Sequence, residues 1–169
     1  MKKLFAAVLC AAMVLSLGAC GGSENTSAEA TSDDNKLEVG TEAGFAPYEY
    51  MSGDEVVGVD MDIAHAIADA MGKELVIKNM DFDGALNAVQ QGQVDFVAAA
   101  VSVDEERQKV MDFSHNYVDS SDVVVVNASA GTVNTNEEIA DKVIGVQQGN
   151  IADIWVTDNY PDAEVKRYT

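Results

Sequence analysis

Basic residues are scarce in this chain. It has 10 Lys and Arg against 29 Asp and Glu among 169 residues, which gives a formal net charge of −19. Nucleic-acid phosphates and anionic lipid headgroups are bound by clusters of Lys and Arg. This balance therefore argues against a nucleic-acid partner and against attachment to membranes through a polybasic surface.

Cysteine and the motifs of common enzymes are also scarce. Cys10 and Cys20 are too few for a disulfide scaffold. The chain holds no GxSxG, HExxH, Walker loop or CxxC. His65 shares a predicted helix face with Asp62 and Asp69, but a solvated face explains this spacing better than a metal site. We therefore predict no metal and no cofactor.

The first nineteen residues have the features of a secretory signal. Two lysines follow Met1, residues 4–17 are apolar and uncharged, and Gly18 and Ala19 precede Cys20. The apolar run is shorter than the ~20 residues that a membrane-spanning helix needs. We predict a cleaved signal peptide over residues 1–19, with an uncleaved anchor helix as the less favoured alternative.

Residues 17–20 (Leu-Gly-Ala-Cys) resemble a bacterial lipobox. The resemblance implies cleavage before Cys20 and lipidation of its thiol, which would anchor the protein to a membrane. Residues 21–35 contain no large apolar side chain, so they cannot bury enough surface to offset the entropy lost on ordering. We predict that residues 20–35 are a lipidated cysteine and a disordered tether.

From residue 36 onward, patterns typical of strands and helices alternate. We predict strands at residues 36–41, 56–59, 74–78, 94–100, 121–126, 142–146 and 164–168, and helices at residues 60–72, 82–92, from 102, 137–141 and 151–157. This alternation indicates an α/β fold with a largely parallel sheet. Ligands of such sheets bind beyond the carboxyl ends of the strands, so the loops after Thr41, Ala100 and Val146 are the candidate site.

Arg107 is the most informative candidate residue. A capping box at Ser102 and Glu105 predicts a helix that begins at Ser102 and carries Arg107 in its first turns. A guanidinium, a hydroxyl and unpaired helix N–H groups together favour a carboxylate ligand. The alternative is a surface ion pair of Arg107 with Asp104 or Glu106.

Other side chains at predicted loop ends are weaker candidates. Phe45 and Phe82 could stack on a ligand, although such residues more often form core or wall. Glu42 follows the first strand. It is either solvated surface or a carboxylate that attracts a cationic group.

Several segments in series resemble the polar amino-acid-binding proteins of ABC importers, which are bacterial solute-binding proteins of family 3. They are residues 40–50, 57–62, 80–84, 102–107, 112–114 and 145–149. The resemblance implies an α/β, two-lobed periplasmic-binding-protein fold that closes on its ligand. Residues 36–120 would form a nearly complete first lobe, residues 121–169 a partial second lobe, and residues 116–121 the first hinge segment. The chain would then be truncated at its C-terminus.

The same resemblance implies roles for individual residues. Phe45 and Phe82 would sandwich the ligand side chain, which Glu42 would face. The α-carboxylate would be bound by Arg107, Ser102 and the backbone at Ala100, and the second lobe would add Gln147, Asn150 and Ile151. The family often has Gly where Ala100 stands, and Thr-Thr where Asn150 and Ile151 stand.

The implied function is transport without chemistry. The protein would be a monomer, anchored by lipid on the extracytoplasmic side. It would capture a polar or basic amino acid and deliver it to an ABC transporter permease. One alternative is an enzyme similar to cyclohexadienyl dehydratase, which needs a general acid or base in the cleft. The other is a ligand-sensing input module of a membrane receptor, which needs a transmembrane helix.

Overall fold

The computed structural model describes residues 35–127, 129, 131 and 133–169, all of which belong to the unit Asp33–Thr169. The predicted signal segment, Cys20 and the tether up to residue 34 lie outside the described residues. In the part of the chain that is described, no helix is long and apolar enough to span a membrane.

Strands and helices alternate along the described chain. In chain order the elements are β1 (Lys36–Thr41), β2 (Gly44–Phe45), β3 (Glu49–Ser52), β4 (Glu55–Val57), α1 (Val59–Met71), β5 (Glu74–Asn79), α2 (Phe82–Gln90), β6 (Phe96–Val97), a 3₁₀ helix (Arg107–Lys109), a second 3₁₀ helix (Asn136–Ile139), β7 (Val143–Gln147), α3 (Ile151–Asn159) and β8 (Glu164–Tyr168).

The first sheet is parallel and has β1 at its centre, in the order β5-β1-β6. β5 pairs with β1 from Lys36↔Glu74 to Thr41↔Asn79, and β6 pairs at Val39 and Gly40. Leu37, Val39 and Thr41 are buried, as expected of a strand with neighbours on both edges. The parallel sheet predicted from the alternating pattern is confirmed here.

Helices α1 and α2 follow the sequence periodicity closely. Met61, Ala64 and Ala68 form the buried face of α1, which ends at Gly72 in the left-handed conformation. Helix α2 begins after Asp81, whose carboxylate accepts the N–H of Gly84 at 2.8 Å. Both helices are therefore specified by their apolar spacing and by their caps.

Two smaller sheets complete the described fold. The antiparallel strands β2, β3 and β4 lie between β1 and α1 in the chain. Further on, β7 and β8 form a parallel pair from Val143↔Glu164 to Gln147↔Tyr168, connected by α3. Asp153 of α3 forms an ion pair with Arg167 of β8 at 2.9 Å, which ties the helix to the strand pair.

The helix predicted from Ser102 is wrong. The chain there forms only the short 3₁₀ helix, and the side chain that binds the amides at its start is Asp104 rather than Ser102. Asp104 Oδ1 accepts the N–H groups of Glu106 and Arg107, each at 2.9 Å. A carboxylate is as strong an N-cap acceptor as a hydroxyl, and Asp104 lies closer to these two amides than Ser102 does in the chain.

Two predicted strands and one helix also differ from the structure. Within residues 94–100 only Phe96–Val97 form a strand, and residues 121–126 form none. Val123 and Val125 are 79% and 88% exposed, because no described strand pairs with this run. Strand propensity depends on a neighbour to pack against, which the β-branched run does not supply itself. The helix predicted at residues 137–141 is the second 3₁₀ helix.

Candidate functional site

The carboxyl ends of β1 and β7 are joined by a side-chain contact. Glu42 directly follows β1, and Gln147 is the last residue of β7. Gln147 Nε2 donates to Glu42 Oε2 at 3.2 Å. Two of the three predicted ligand loops therefore meet, as expected for strand ends of an α/β protein.

A second contact joins the same two parts of the chain. Asp83, in the first turn of α2, accepts a hydrogen bond from Gln148 Nε2 at 3.1 Å. Next to it, Gly149 has a φ of +75° and lies so close that an added Cβ would stand 1.9 Å from Asp83 Oδ1. Only glycine accommodates both the conformation and this approach.

Arg107 forms the third contact and is buried, with 7% of its surface exposed. Its Nη1 donates to Ser102 O at 2.7 Å, and its Nη2 donates to Gly149 O at 2.8 Å. Its Nε lies 3.2 Å from Asp104 Oδ2. All three guanidinium nitrogens thus have a protein partner. We call the place where Glu42, Asp83 and Arg107 contact residues 147–149 the junction, and the planar cation of Arg107 is fixed there.

The electrostatics of Arg107 reflect its burial. Desolvation lowers the pKa of the guanidinium, while the nearby Asp104 and Asp83 carboxylates act in the opposite direction. The guanidinium also stands 5.6 Å from the centre of the Phe82 ring. The alternative, an ion pair of Arg107 on the surface, is wrong about the location, because Arg107 is buried. Arg107 does pair with Asp104, but away from solvent, and Glu106 pairs with Lys109 instead.

Ser102 and Ala100 lie on the loop that leads to Arg107. Ser102 contacts the guanidinium through its carbonyl rather than its hydroxyl. Ala100 has a φ of +45°, in the left-handed region that favours glycine, and its N–H donates to Asp60 Oδ2 at 2.7 Å. The left-handed backbone agrees with the glycine that the resemblance places at this position.

The two candidate phenylalanines have different surroundings. Phe45 is 51% exposed and stacks on Tyr48, with ring centres 5.6 Å apart. Phe82 is buried against Leu86 and Ala99. The ligand sandwich between Phe45 and Phe82 stays a prediction.

Asn150 and Ile151 begin α3. Asn150 Oδ1 accepts the N–H groups of Ala152 and Asp153, at 2.9 and 3.1 Å, so it is the N-cap. Ile151 is partly buried and lines a cavity that Trp155 also lines. The structure therefore shows a structural role for Asn150, and the ligand contacts of both residues stay predictions.

Three residues of this junction were not predicted from the sequence: Asp83, Gln148 and Gly149. Gly149 is the last residue of a segment used for the resemblance, and Asp83 follows the cap of α2. A glycine next to a strand end is the signal that would have suggested a close approach. Within the described ranges, no group of three or more His, Cys, Asp or Glu is placed to hold a metal ion.

Two acidic residues beside this junction are almost completely buried. Glu49 and Asp60 are each 1% exposed. Burial, and then the neighbouring Asp60 carboxylate, raise the pKa of Glu49 to about 9. Glu49 therefore carries a proton at neutral pH in the folded protein, although an unfolded glutamate does not.

This proton predicts a pH-dependent stability. Between about pH 4.5 and 9 the folded state holds a proton that the unfolded state has released, so the free energy of unfolding should fall as pH rises. The slope is at most about 1.4 kcal/mol per pH unit. In Glu49→Gln this contribution should vanish. Urea unfolding of both proteins from pH 5 to 8.5 measures it, and parallel profiles would contradict the assignment.

Both the sequence and the structure are similar to those of known proteins. The family model described as bacterial extracellular solute-binding proteins, family 3, matches residues 37–158. The arginine-binding extracellular protein ArtP of Bacillus subtilis (strain 168) is 35% identical over 151 residues, which cover 89% of this chain and 58% of ArtP. A probable histidine-binding protein of Campylobacter jejuni is 31% identical over 153 residues, covering 89% of this chain and 60% of that protein.

Solved structures of amino-acid-binding proteins are also similar to this chain. An ancestral arginine-binding protein bound to arginine is 36% identical with a TM-score of 0.74, covering 79% of this chain and 61% of that one. An ancestral amino-acid-binding protein, a precursor of cyclohexadienyl dehydratase, is 25% identical with a TM-score of 0.72 over 79% of this chain and 61% of that one. The chain thus spans about three fifths of the length of the proteins it matches.

Proposed function

We propose, from the premise that this chain belongs to the bacterial extracellular solute-binding proteins of family 3, that it captures a basic amino acid outside the cytoplasm and delivers it to an ABC transporter permease. Residues 36–120 and 121–169 would belong to two lobes that close on the ligand, with residues 116–121 as a hinge. Capture and release involve no covalent chemistry.

The observation that carries this proposal is the junction built around Arg107. The buried guanidinium gives one N–H of each terminal nitrogen to Ser102 O and Gly149 O, and the second N–H of each is suited to the α-carboxylate of an amino acid. Residues from both predicted lobes meet at this point, since Arg107 contacts Gly149 and Glu42 contacts Gln147. A ligand bound there would be held by both lobes.

The choice of a basic ligand rests on Glu42 and on the relatives. Glu42 is partly exposed at the end of β1 and places a carboxylate next to Gln147. A carboxylate at this position would pair with a cationic side chain and disfavour an acidic one. The named relatives bind arginine and, as a probable ligand, histidine. L-Arginine is therefore the first ligand to test.

We expect L-arginine to stabilise the full chain against unfolding. At 100 times its dissociation constant, a ligand that binds only the folded state adds about 2.7 kcal/mol. Thermal unfolding with single amino acids, followed by isothermal titration calorimetry, measures this. L-Arginine should shift the midpoint most, and L-glutamate should give no shift. Absence of a shift with every amino acid would refute the proposal.

Glu42→Gln should change selectivity rather than abolish binding. Loss of a rim charge opposite a cationic side chain costs about 1–2 kcal/mol, or roughly five- to thirtyfold in affinity. We expect weaker binding of L-arginine and little change for L-glutamine. Glu55→Gln, an exposed position in β4, is the matched control. Equal losses for both amino acids would contradict the role of Glu42.

The proposed anchor is lipid attached to Cys20, which lies outside the described residues. Two acyl chains or more hold a protein stably on a membrane, whereas one does so only marginally. Cells that produce the full chain should incorporate labelled palmitate into it, and the protein should sediment with membranes. Cys20→Ser should lose both properties, and Cys10→Ser should retain them. Label retained in Cys20→Ser would exclude this anchor.

A further inference from the structure

Asp60 connects three separate parts of the described chain. It lies in the first turn of α1 and is 1% exposed. Its Oδ2 accepts the N–H of Ala100 at 2.7 Å, and the hydroxyl of Tyr117 lies 3.0 Å from both carboxylate oxygens. Tyr117 belongs to the predicted hinge, residues 116–121. One buried carboxylate therefore holds both the predicted hinge and the loop of residues 100–102, which we call the ligand loop.

Glu49 is as deeply buried as Asp60 and stands near enough for the two carboxyl groups to interact electrostatically. The Oε2 of Glu49 is buried and has no hydrogen-bond partner. The other titratable groups that face the pair are Glu42, Tyr48 and Tyr117. Among the described residues, no Lys, Arg or His forms an ion pair with either buried carboxylate. Two neighbouring buried carboxylates without a cationic partner do not both ionise, so one of them keeps a proton.

We propose that Asp60 is a positioning residue that fixes the left-handed backbone of Ala100 for the ligand carboxylate and couples it to Tyr117 in the hinge, with Glu49 as the protonated member of the buried acidic pair. This inference rests on the proposed function, in which the backbone at Ala100 contacts the ligand. In this proposal the side chains of Asp60, Glu49 and Tyr117 do not contact the ligand. Their effect on affinity is transmitted through Ala100.

The physical reason is the conformation of Ala100. An alanine with a φ of +45° is unfavourable unless its surroundings hold it there. The bond from its N–H to Asp60 supplies that restraint. Tyr117 shares the same acceptor, so movement of the hinge changes the hydrogen bonding of Asp60 and reaches the ligand loop. The coupling thus runs through one carboxylate and two donors.

Conservative variants of the full chain test the positioning role. Asp60→Asn keeps the shape but offers only one acceptor oxygen, so affinity for L-arginine should fall about tenfold or more. Tyr117→Phe should lower it a fewfold, since a single hydroxyl is removed. Asp62→Asn, on the exposed face of α1, is the control and should bind within about twofold of the wild type.

Amide hydrogen exchange of Ala100 separates positioning from general destabilisation. In Asp60→Asn the Ala100 amide should lose protection while the amides of β1 and β5 remain protected. If Asp60→Asn does not fold, Tyr117→Phe gives the same comparison. Wild-type affinity together with a protected Ala100 amide in both variants would overturn the proposal. If no wild-type binding of any amino acid is found, the proposed function fails, while the exchange data still decide whether Asp60 positions Ala100.

The protonated state of Glu49 is tested with Glu49→Gln, because an amide is neutral, like the protonated acid, but does not titrate. At pH 7 this variant should bind L-arginine within about twofold of the wild type. Above about pH 9 the affinity of the wild type should fall more steeply than that of the variant. Titration of the ligand amine is common to both proteins and cancels. A loss at pH 7 as large as in Asp60→Asn would overturn the protonated state of Glu49.

Discussion

Replacing Arg107 by alanine is expected to weaken L-arginine binding about a hundredfold or more. Truncating one partner of a buried, hydrogen-bonded charge pair costs about 2–5 kcal/mol, and each 1.4 kcal/mol is a factor of ten in affinity. Arg107 also spans the junction, since it donates to Ser102 O and Gly149 O. Its loss should therefore remove the proposed carboxylate site and the contact of Arg107 with Gly149.

Stability must be separated from binding in this experiment. Asp104 loses its cation in Arg107→Ala, so the variant should also unfold more easily. Arg107→Lys keeps a positive charge but lacks the planar fork, and it should still bind at least tenfold more weakly than the wild type. Lys109→Ala, at an exposed ion pair, is the control for loss of a cation. Calorimetric affinities near the wild-type value in both Arg107 variants would remove Arg107 from the site.

Gly149→Ala is expected to impair both folding and binding. A left-handed alanine costs about 1–2 kcal/mol. The added methyl would also overlap Asp83 Oδ1, from which an ideal Cβ stands 1.9 Å, and overpacking of this kind costs about 1–3 kcal/mol. The first cost lowers stability. Relief of the overlap moves the turn after β7 away from α2, so L-arginine affinity should fall about ten- to a hundredfold.

Gly53→Ala provides a matched control. Gly53 has a φ of +65°, but an added Cβ there would meet no atom within 4 Å. It should lose stability without losing affinity. Asp83→Ala in the Gly149→Ala background should restore part of the binding, because the overlapping carboxylate is gone. A double-mutant cycle measured by calorimetry tests this coupling, and strictly additive losses would show that the overlap has no effect.

The α/β fold was predictable because its signals are local. Helices α1 and α2 and strands β1, β5, β7 and β8 follow the 3.6-residue and two-residue spacings of their own apolar side chains. The periplasmic-binding-protein architecture is confirmed by the structural similarities. The strand at residues 94–100 was predicted too long and the strand at residues 121–126 wrongly, because a strand also needs a neighbour, and that neighbour is not encoded in the run.

The candidate site was predictable only in part. Glu42 and Gln147 were predicted just after strands and Arg107 in the first turns of a helix, and the structure brings all three to one junction. The contacts that join the two parts of the chain, Arg107 to Gly149 and Glu42 to Gln147, span 42 and 105 residues. No local pattern encodes such pairs, which is why Asp83 and Gln148 were missed. The buried pair of Glu49 and Asp60 was missed for the same reason, since acidic residues are rarely buried.

Three consecutive residues, the last of β7 and the two that follow it, are contacted by side chains from the earlier part of the chain. Glu42, Asp83 and Arg107 bind Gln147, Gln148 and Gly149 in turn. An amino acid held beneath this turn could dissociate only after the three hydrogen bonds had opened together. The turn would thus control the residence time of the ligand. Substitutions at Asp83 or Gln148 should raise koff and leave kon nearly unchanged, as is usual for variants of one binding site.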